Sequence, residues 1–230
     1  NVGGLIGNLQ NSKFIEATDT TKEVEKGLIG NSYNLGDVSG KGHNVGGLVG
    51  HAYDATIGDG TNLVYNRLDV TGAYNVGGIV GNMEANSTVK NAENSGTVLA
   101  SGHYGGEYTF HTDYTKDNYS AGGSKTVSVN VANVGGIAGT SSSSTITDVL
   151  NTGDVSSSKV KEQEYYAAGN VGGIVGSAVD TNITNATNRE NEVRGAHNVG
   201  GVAGYFGNSS DSDTSKDYTV TNGINDGGDI

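Results

Sequence analysis

The chain has 230 residues, of which 39 are glycine and none is proline, cysteine or tryptophan, and its formal net charge is -12. Glycine without a strict three-residue period excludes a collagen helix, the recurring Val, Ile and Leu disfavour a disordered tract, and the lack of cysteine excludes a disulfide framework. The acidic balance disfavours nucleic acid as a partner, because phosphate binding requires clustered Lys and Arg, and no apolar run reaches the roughly 20 residues of a membrane span.

A seven-residue phrase recurs along the chain. It reads NVGGLIG, NVGGLVG, NVGGIVG, NVGGIAG, NVGGIVG and NVGGVAG, and its copies begin at Asn1, Asn44, Asn75, Asn133, Asn170 and Asn198. Its second position is always valine, which suits an inward-facing column of side chains. The paired glycines allow a tight bend, or a close approach of stacked backbones that a Cβ would obstruct. A phosphate-binding loop is disfavoured, because no helix follows the glycines.

A second pattern follows each phrase, most clearly in STVKNAENSGTV (87–98) and STITDVLNTGDV (144–155). Asparagine tolerates turn conformations, and its amide group can both donate and accept hydrogen bonds. Identical amides at the same corner of every coil would therefore hydrogen-bond along the stack. Alignment of the repeats predicts such a structural ladder of asparagines, comprising Asn34, Asn66, Asn94, Asn151, Asn188 and Asn225.

Each repeat contains three short extended pieces, which are the phrase, a TV or TI piece, and a GTV or GDV piece. Short pieces rich in Val, Ile and Thr and separated by Gly, Asn, Asp and Ser are typical of strands. One coil cannot bury its apolar residues alone, so the coils must stack. The sequence therefore predicts an all-β fold, a parallel β-helix or β-solenoid of about six coils. We expect three short strands per coil and loop or hairpin insertions at the corners.

Extra residues fall at the corners of the coils, at about 8–26, 99–132, 156–169 and 205–218. Insertions in a solenoid project from its wall and often form its binding face. The longest one ends in KTVSVNV (125–131), whose alternation favours a β-hairpin. Its aromatic residues form our candidate ligand-binding set, namely Tyr104, Tyr108, Phe110, Tyr114 and Tyr119. The alternative, that these rings pack on the solenoid wall, is left open by the sequence.

The sequence contains no motif of a catalytic or metal site. HExxH, GxSxG and P-loop patterns are absent, and SSDSDTSKD (209–217) lacks the spacing of an EF-hand. Asp37, Asp69 and Asp154 share a position in the third extended piece, but Thr97 interrupts that column, which favours a solvated face over a carbohydrate-active site. We expect no catalytic residue, no cofactor and no bound metal in this chain.

The phrase NVGGLVG, together with NSYNLGDVSG (31–40), resembles the GLUG repeat, and the resemblance extends over all six units. It implies a β-solenoid in an exported bacterial protein, located at the cell surface or outside the cell. GLUG repeats occur in large surface adhesins and in the N-terminal region of IgA1-type zinc metallopeptidases. As partners we expect a host protein or glycan, or neighbouring repeats of the same protein.

The chain begins inside a repeat, so we expect residues 1–230 to form a single solenoid segment of a larger protein. The function that the sequence favours is that of a non-catalytic structural or adhesive segment, acting as a stalk or an adhesin. The alternative is a solenoid region that positions substrate for a zinc peptidase domain elsewhere in the same protein.

Overall fold

The computed structural model describes residues 1–10, 28–29, 33–41, 43–101, 106–111, 124–129, 132–157, 169–195, 197–209 and 217–230. All regular secondary structure in these ranges is β, and the strands of successive repeats stack in parallel. The expected fold class, an all-β parallel solenoid, is confirmed. Each repeat forms one coil.

The first three coils contain fourteen strands. In coil 1 they are β1 (Val2–Gly3), β2 (Ile6–Gln10), β3 (Leu28–Ile29), β4 (Tyr33–Asn34) and β5 (Val38–Ser39). In coil 2 they are β6 (Asn44–Gly46), β7 (Val49–Tyr53), β8 (Thr56–Ile57), β9 (Val64–Asn66) and β10 (Val70–Gly72). In coil 3 they are β11 (Asn75–Gly77), β12 (Val80–Glu84), β13 (Thr88–Asn94) and β14 (Val98–Ala100).

Two further strands, β15 (Gly106–His111) and β16 (Ser124–Val129), lie between coils 3 and 4 in the sequence. Coil 4 contains β17 (Ala132–Gly135), β18 (Ala138–Ser142), β19 (Thr145–Asn151) and β20 (Val155–Ser157). Coil 5 contains β21 (Gly169–Gly172), β22 (Val175–Val179), β23 (Asn182–Arg189) and β24 (Val193–Arg194). Coil 6 contains β25 (Val199–Gly200), β26 (Ala203–Gly207) and β27 (Val220–Asp226).

The strands of the coils form four parallel sheets. The first sheet has the order β1-β6-β11-β17-β21-β25, and the second has the order β2-β7-β12-β18-β22-β26. The third sheet runs β27-β23-β19-β13-β8-β3, with β9 pairing β13 and β4, and the fourth runs β24-β20-β14-β10-β5. Equivalent residues pair across coils, as in Val45 with Val76 and Asn94 with Asn151. The solenoid therefore keeps one register although its repeats are spaced by 28 to 58 residues.

Coils 1 to 5 contribute strands to four sheets and coil 6 to three, whereas the sequence predicts three strands in every coil. The phrase is not one strand, because the chain turns at the second glycine and the residue after it, which divides the phrase between the first and second sheets. Valine at the second position and the apolar residue at the fifth position belong to different cores, as Val45 and Leu48 illustrate. The turn between them is what allows both side chains to be fully buried.

Two hydrophobic cores run side by side along the solenoid. The larger one lies between the second and third sheets and contains Leu48, Ile79, Ile137 and Ile174 with their partners on the facing strands. The smaller one lies between the first and fourth sheets and is built almost wholly from valine. Because each apolar side chain stacks on its equivalent in the next coil, burial depends on neighbouring coils rather than on any single one.

The glycines of the phrase lie where backbones approach each other closely, as coil 4 shows. A Cβ at Gly135 would overlap with the carbonyl oxygen of Ala138, and one at Gly139 would overlap with the backbone nitrogen of Val76. A Cβ at Gly136 would overlap with the side chain of Asn151 and with the carbonyl of Gly173. The phrase therefore requires glycine for space, since a side chain would push apart elements that touch through their backbones.

Strands occupy the margins of the expected insertions. The strand β2 includes residues 8–10, β14 includes residues 99–100, β20 includes residues 156–157, and β26 includes residues 205–207. Within 99–132, the strands β15 and β16 form an antiparallel hairpin that belongs to none of the four solenoid sheets. No described segment forms a helix long and apolar enough to cross a membrane.

Replacing Gly136 by alanine is expected to destabilise the chain by about 3 kcal/mol, because the added methyl group would overlap with groups of both the same coil and the next. The matched control is Gly36→Ala, since the nearest atom to a Cβ there is Oδ1 of Asn34 at 3.8 Å. That change should alter stability by no more than about 0.5 kcal/mol. Chemical denaturation of the two variants measures the difference. Equal losses would contradict the packing account of the phrase.

Candidate interaction surface

An inner ladder of asparagines links the coils of the solenoid. We call the outer surface of the coils the wall, and the hairpin insertion that extends from it is the candidate interaction surface. The Nδ2 of Asn34 donates to Oδ1 of Asn66 at 3.0 Å, and the same bond then links each asparagine to the next at 2.8 to 2.9 Å. The members are Asn34, Asn66, Asn94, Asn151, Asn188 and Asn225. Those of coils 2 to 5 are fully buried.

A second bond fixes the orientation of these amides. In coils 1 to 4, Nδ2 also donates to the backbone carbonyl two residues further on, for example from Asn94 to Gly96 and from Asn151 to Gly153, both at 2.8 Å. A carbonyl can only accept, so the group facing it must be the amide nitrogen. All buried side-chain nitrogen and oxygen atoms of the described residues have a hydrogen-bond partner, which is required where water cannot reach.

An outer ladder is formed by the asparagines that open each phrase. Here the donors point the other way, from each coil to the one before it, as in Asn75 to Asn44 at 2.8 Å and Asn133 to Asn75 at 3.0 Å. The members of this ladder in coils 2 to 5 are half-buried rather than buried. We therefore expect each of its bonds to contribute less to stability than an inner bond does.

The hairpin insertion is anchored at one corner of the wall. Where the chain leaves coil 3, the backbone nitrogen of Ser101 donates to the carbonyl of Gly72 at 2.7 Å. Where it returns, the nitrogen of Asn133 donates to the carbonyl of Tyr74 at 2.9 Å. Both ends of the insertion thus rest on the same corner of coil 2. That corner lies between the fourth and first sheets.

The register of the hairpin places its aromatic residues, together with Lys125, on one face and only polar pairs on the other. Tyr108 lies opposite Val127 and Phe110 lies opposite Lys125. The intervening pairs, Glu107 with Ser128, Thr109 with Thr126 and His111 with Ser124, are polar. Because successive residues of a strand alternate between faces, Tyr108 and Phe110 share one face of the ladder. Of the five candidate ligand-binding residues these two lie within strands, whereas Tyr104, Tyr114 and Tyr119 lie outside the described residues.

Two aromatic stacks on the wall were not predicted from the sequence. The rings of Tyr33 and Tyr65 lie 5.0 Å apart with an interplanar angle of 5°, and the rings of His43 and Tyr74 lie 4.8 Å apart with an interplanar angle of 5°. Each pair joins equivalent positions of successive repeats. Aligning the outward positions of the repeats, and not only their asparagines, would have revealed both pairs.

Other polar side chains of the wall bind neighbouring coils. His51 lies 2.9 Å from Oδ1 of Asn8 through Nδ1 and 2.6 Å from Oε1 of Glu84 through Nε2, so it joins coils 1, 2 and 3. The carboxylates of Asp69 and Asp154 accept backbone N–H groups of the following coil, at 3.0 and 2.9 Å. These two carboxylates therefore link successive coils at a corner of the solenoid.

The carboxylate of Asp59 lies among hydrogen-bond donors of its own loop. Its carboxylate accepts hydrogen bonds from the backbone nitrogens of Asn62 and Thr61, each at 2.7 Å, and from the Asn62 side chain. These donors hold the pKa of Asp59 below its usual value, because they stabilise the charged form. The carboxylate thereby stabilises the exposed loop of residues 59–62 to which it belongs. Within the described residues, no cluster of three or more His, Asp or Glu could hold a metal ion.

Comparison of the chain with protein-family models, with curated proteins and with solved structures finds no match.

Replacing Asn151 by aspartate tests the inner ladder. The change removes the amide donor that bonds to Asn188 and Gly153 and leaves a carboxylate without water, which should cost about 3 to 5 kcal/mol at neutral pH. The loss should shrink as the pH falls, because protonating the introduced carboxylate removes its charge and restores a donor. The control, Asn133→Asp in the half-buried outer ladder, should cost about 1 kcal/mol. Urea unfolding at several pH values would detect both effects, and a loss that grows on acidification would refute the ladder account.

Proposed function

We propose that this chain is a non-catalytic, adhesive segment of an exported bacterial protein, in which the solenoid is a stiff support and the hairpin insertion contacts the partner. The proposal assigns the chain to the cell surface or the extracellular space. The cellular location is inferred from the GLUG resemblance. The contact surface is inferred from the attachment of the insertion to coil 2 and from the register of the hairpin.

The observation that carries the proposal is that the hairpin strands lie outside the four sheets of the solenoid. The two strands pair only with each other. A two-stranded hairpin alone is marginally stable in water, so an apolar face gains stability when another surface covers it. Tyrosine and phenylalanine offer a large contact area at low entropic cost and suit both protein pockets and sugar rings.

The wall contributes rigidity. The insertion that contains the hairpin is held at both ends by backbone hydrogen bonds to one corner of coil 2. That corner belongs to sheets whose register is held by the asparagine ladders. Residues on a stiff support lose little freedom on binding. The formal net charge of -12 favours a partner other than nucleic acid, since phosphates would be repelled.

The double variant Tyr108→Ser/Phe110→Ser tests this proposal. We expect it to weaken binding by about tenfold or more, since buried aromatic residues at the centre of an interface typically contribute that much. Binding is measured by surface plasmon resonance against a panel of host glycans and serum proteins.

The control is Glu107→Ser/Thr109→Ser, which changes the same strand on its other face and should leave binding unchanged. Thermal unfolding is compared for all variants. If the aromatic variant binds normally with its melting transition intact, the hairpin is not the contact surface. If its melting transition falls, the rings pack on the solenoid and the alternative interpretation of these residues is correct.

A further inference from the structure

Five residues form a second surface at the corner between the third and fourth sheets of coils 1 and 2, which we name the corner patch. They are Tyr33, Leu35, Tyr65, Arg67 and Leu68. Tyr33 and Tyr65 are paired in register and stacked. The guanidinium carbon of Arg67 lies 4.6 Å from the centre of the Tyr65 ring. Leu35 and Arg67 each follow the ladder asparagine of their coil directly.

The corner patch exposes large apolar side chains that the solenoid does not use. Leu35 is 57%, Tyr33 51% and Leu68 39% exposed, and none of the patch residues belongs to either hydrophobic core. Coils 3 and 4 make the same corner with small residues, namely Ser95 and Gly96, and Thr152 and Gly153. The fold therefore does not require bulky apolar residues at this place. Several large exposed apolar side chains at one corner are typical of an interaction site.

Arg67 gives the patch a charge preference. The arginines of coil 5 pair with carboxylates, Arg189 with Asp226 and Arg194 with Glu192, whereas Arg67 lies over an aromatic ring and forms no ion pair with a described residue. A guanidinium over a ring keeps N–H donors for a carboxylate, which it can bind through two hydrogen bonds. Because Arg67 is exposed beside apolar side chains, we expect it to select an acidic group in a partner.

We propose that the corner patch binds a protein segment in which apolar side chains flank an aspartate or glutamate. The leucines and the tyrosines would cover the apolar side chains, and Arg67 would bind the carboxylate. A glycan fits less well, because leucine offers a sugar neither a ring face nor a hydrogen bond, and Tyr33 and Tyr65 already use one face each against the other. The site is independent of the hairpin and does not rest on the function proposed for it.

Stacking also prepares the patch for binding. Tyr65 contacts both Tyr33 and Arg67 in the absence of any partner. The strand pairing of Tyr33 with Tyr65 fixes the spacing of the rings along the solenoid. Side chains that are already ordered lose less entropy on association, so a small patch can bind with useful affinity.

The test is selection of random linear peptides displayed on phage against the intact chain, with removal of peptides that also bind the Leu35→Ser/Leu68→Ser variant. We expect the remaining peptides to combine Leu, Ile, Phe or Tyr with an Asp or Glu. Synthetic versions of them should lose about tenfold or more in affinity for Arg67→Ala, as expected for an interface arginine. The charge reversal Arg67→Glu should shift selection towards peptides that carry Lys or Arg.

The matched control is Leu150→Ser. Leu150 occupies the outward position of coil 4 that corresponds to Tyr65 in coil 2, and its replacement should leave peptide affinity unchanged. The proposal is overturned if no selected peptide depends on the leucines, if the selected peptides lack acidic residues, or if Arg67→Ala binds them as tightly as the parent chain. It is also overturned if the patch variants lose binding to carboxylate-bearing glycans while peptides do not bind. The hairpin is unaltered throughout, so none of these outcomes bears on the function proposed for it.

Discussion

The packing of a buried asparagine column against a glycine column is the constraint on which this structure depends. Each inner amide donates to the next coil and to a carbonyl of its own corner, and the second glycine of the phrase leaves room for it, as Gly136 does for Asn151. A buried amide must have its partners, because an unpaired one costs about 1 to 3 kcal/mol. A coil that slipped by one residue would lose these bonds and turn its valines outward. The ladder therefore fixes the register of all four sheets at once, across repeats of unequal length.

This arrangement restricts the residue types inside the coil and leaves those on its outer surface free to vary. The phrase asparagine, the valine, the glycines and the ladder asparagine recur in every coil, whereas equivalent outward positions hold residues as different as Tyr65, Glu93 and Leu150. Insertions are tolerated at corners, because the coils on either side stack without them, as β14 and β20 do across the hairpin insertion. Binding surfaces are therefore expected where a coil departs from the common pattern, and the hairpin and the corner patch are two such departures.

Much of the fold follows from the sequence because a solenoid repeats its local interactions. The parallel stacking, the six coils and the inward valines all derive from one aligned pattern, and a column of identical residues has the same surroundings at every level. The number of strands per coil was predicted wrongly. The sequence shows that Val45 and Leu48 are apolar, but whether they face the same core depends on a turn between them, and the extended phrase NVGGLVG gives no sign of which core each side chain enters.

The sequence by itself determined the repeat, the composition of each column and the sites of insertion, because these depend on residue type and spacing along one chain. The tertiary structure alone decided the division into two cores, the opposite donor directions of the two asparagine ladders and the stacking of Tyr33 on Tyr65. Each of these depends on which residues of different coils come within a few ångströms of one another. The same holds for the corner patch. Its residues are ordinary in the sequence, and they become a surface only when coils 1 and 2 stack and leave them exposed.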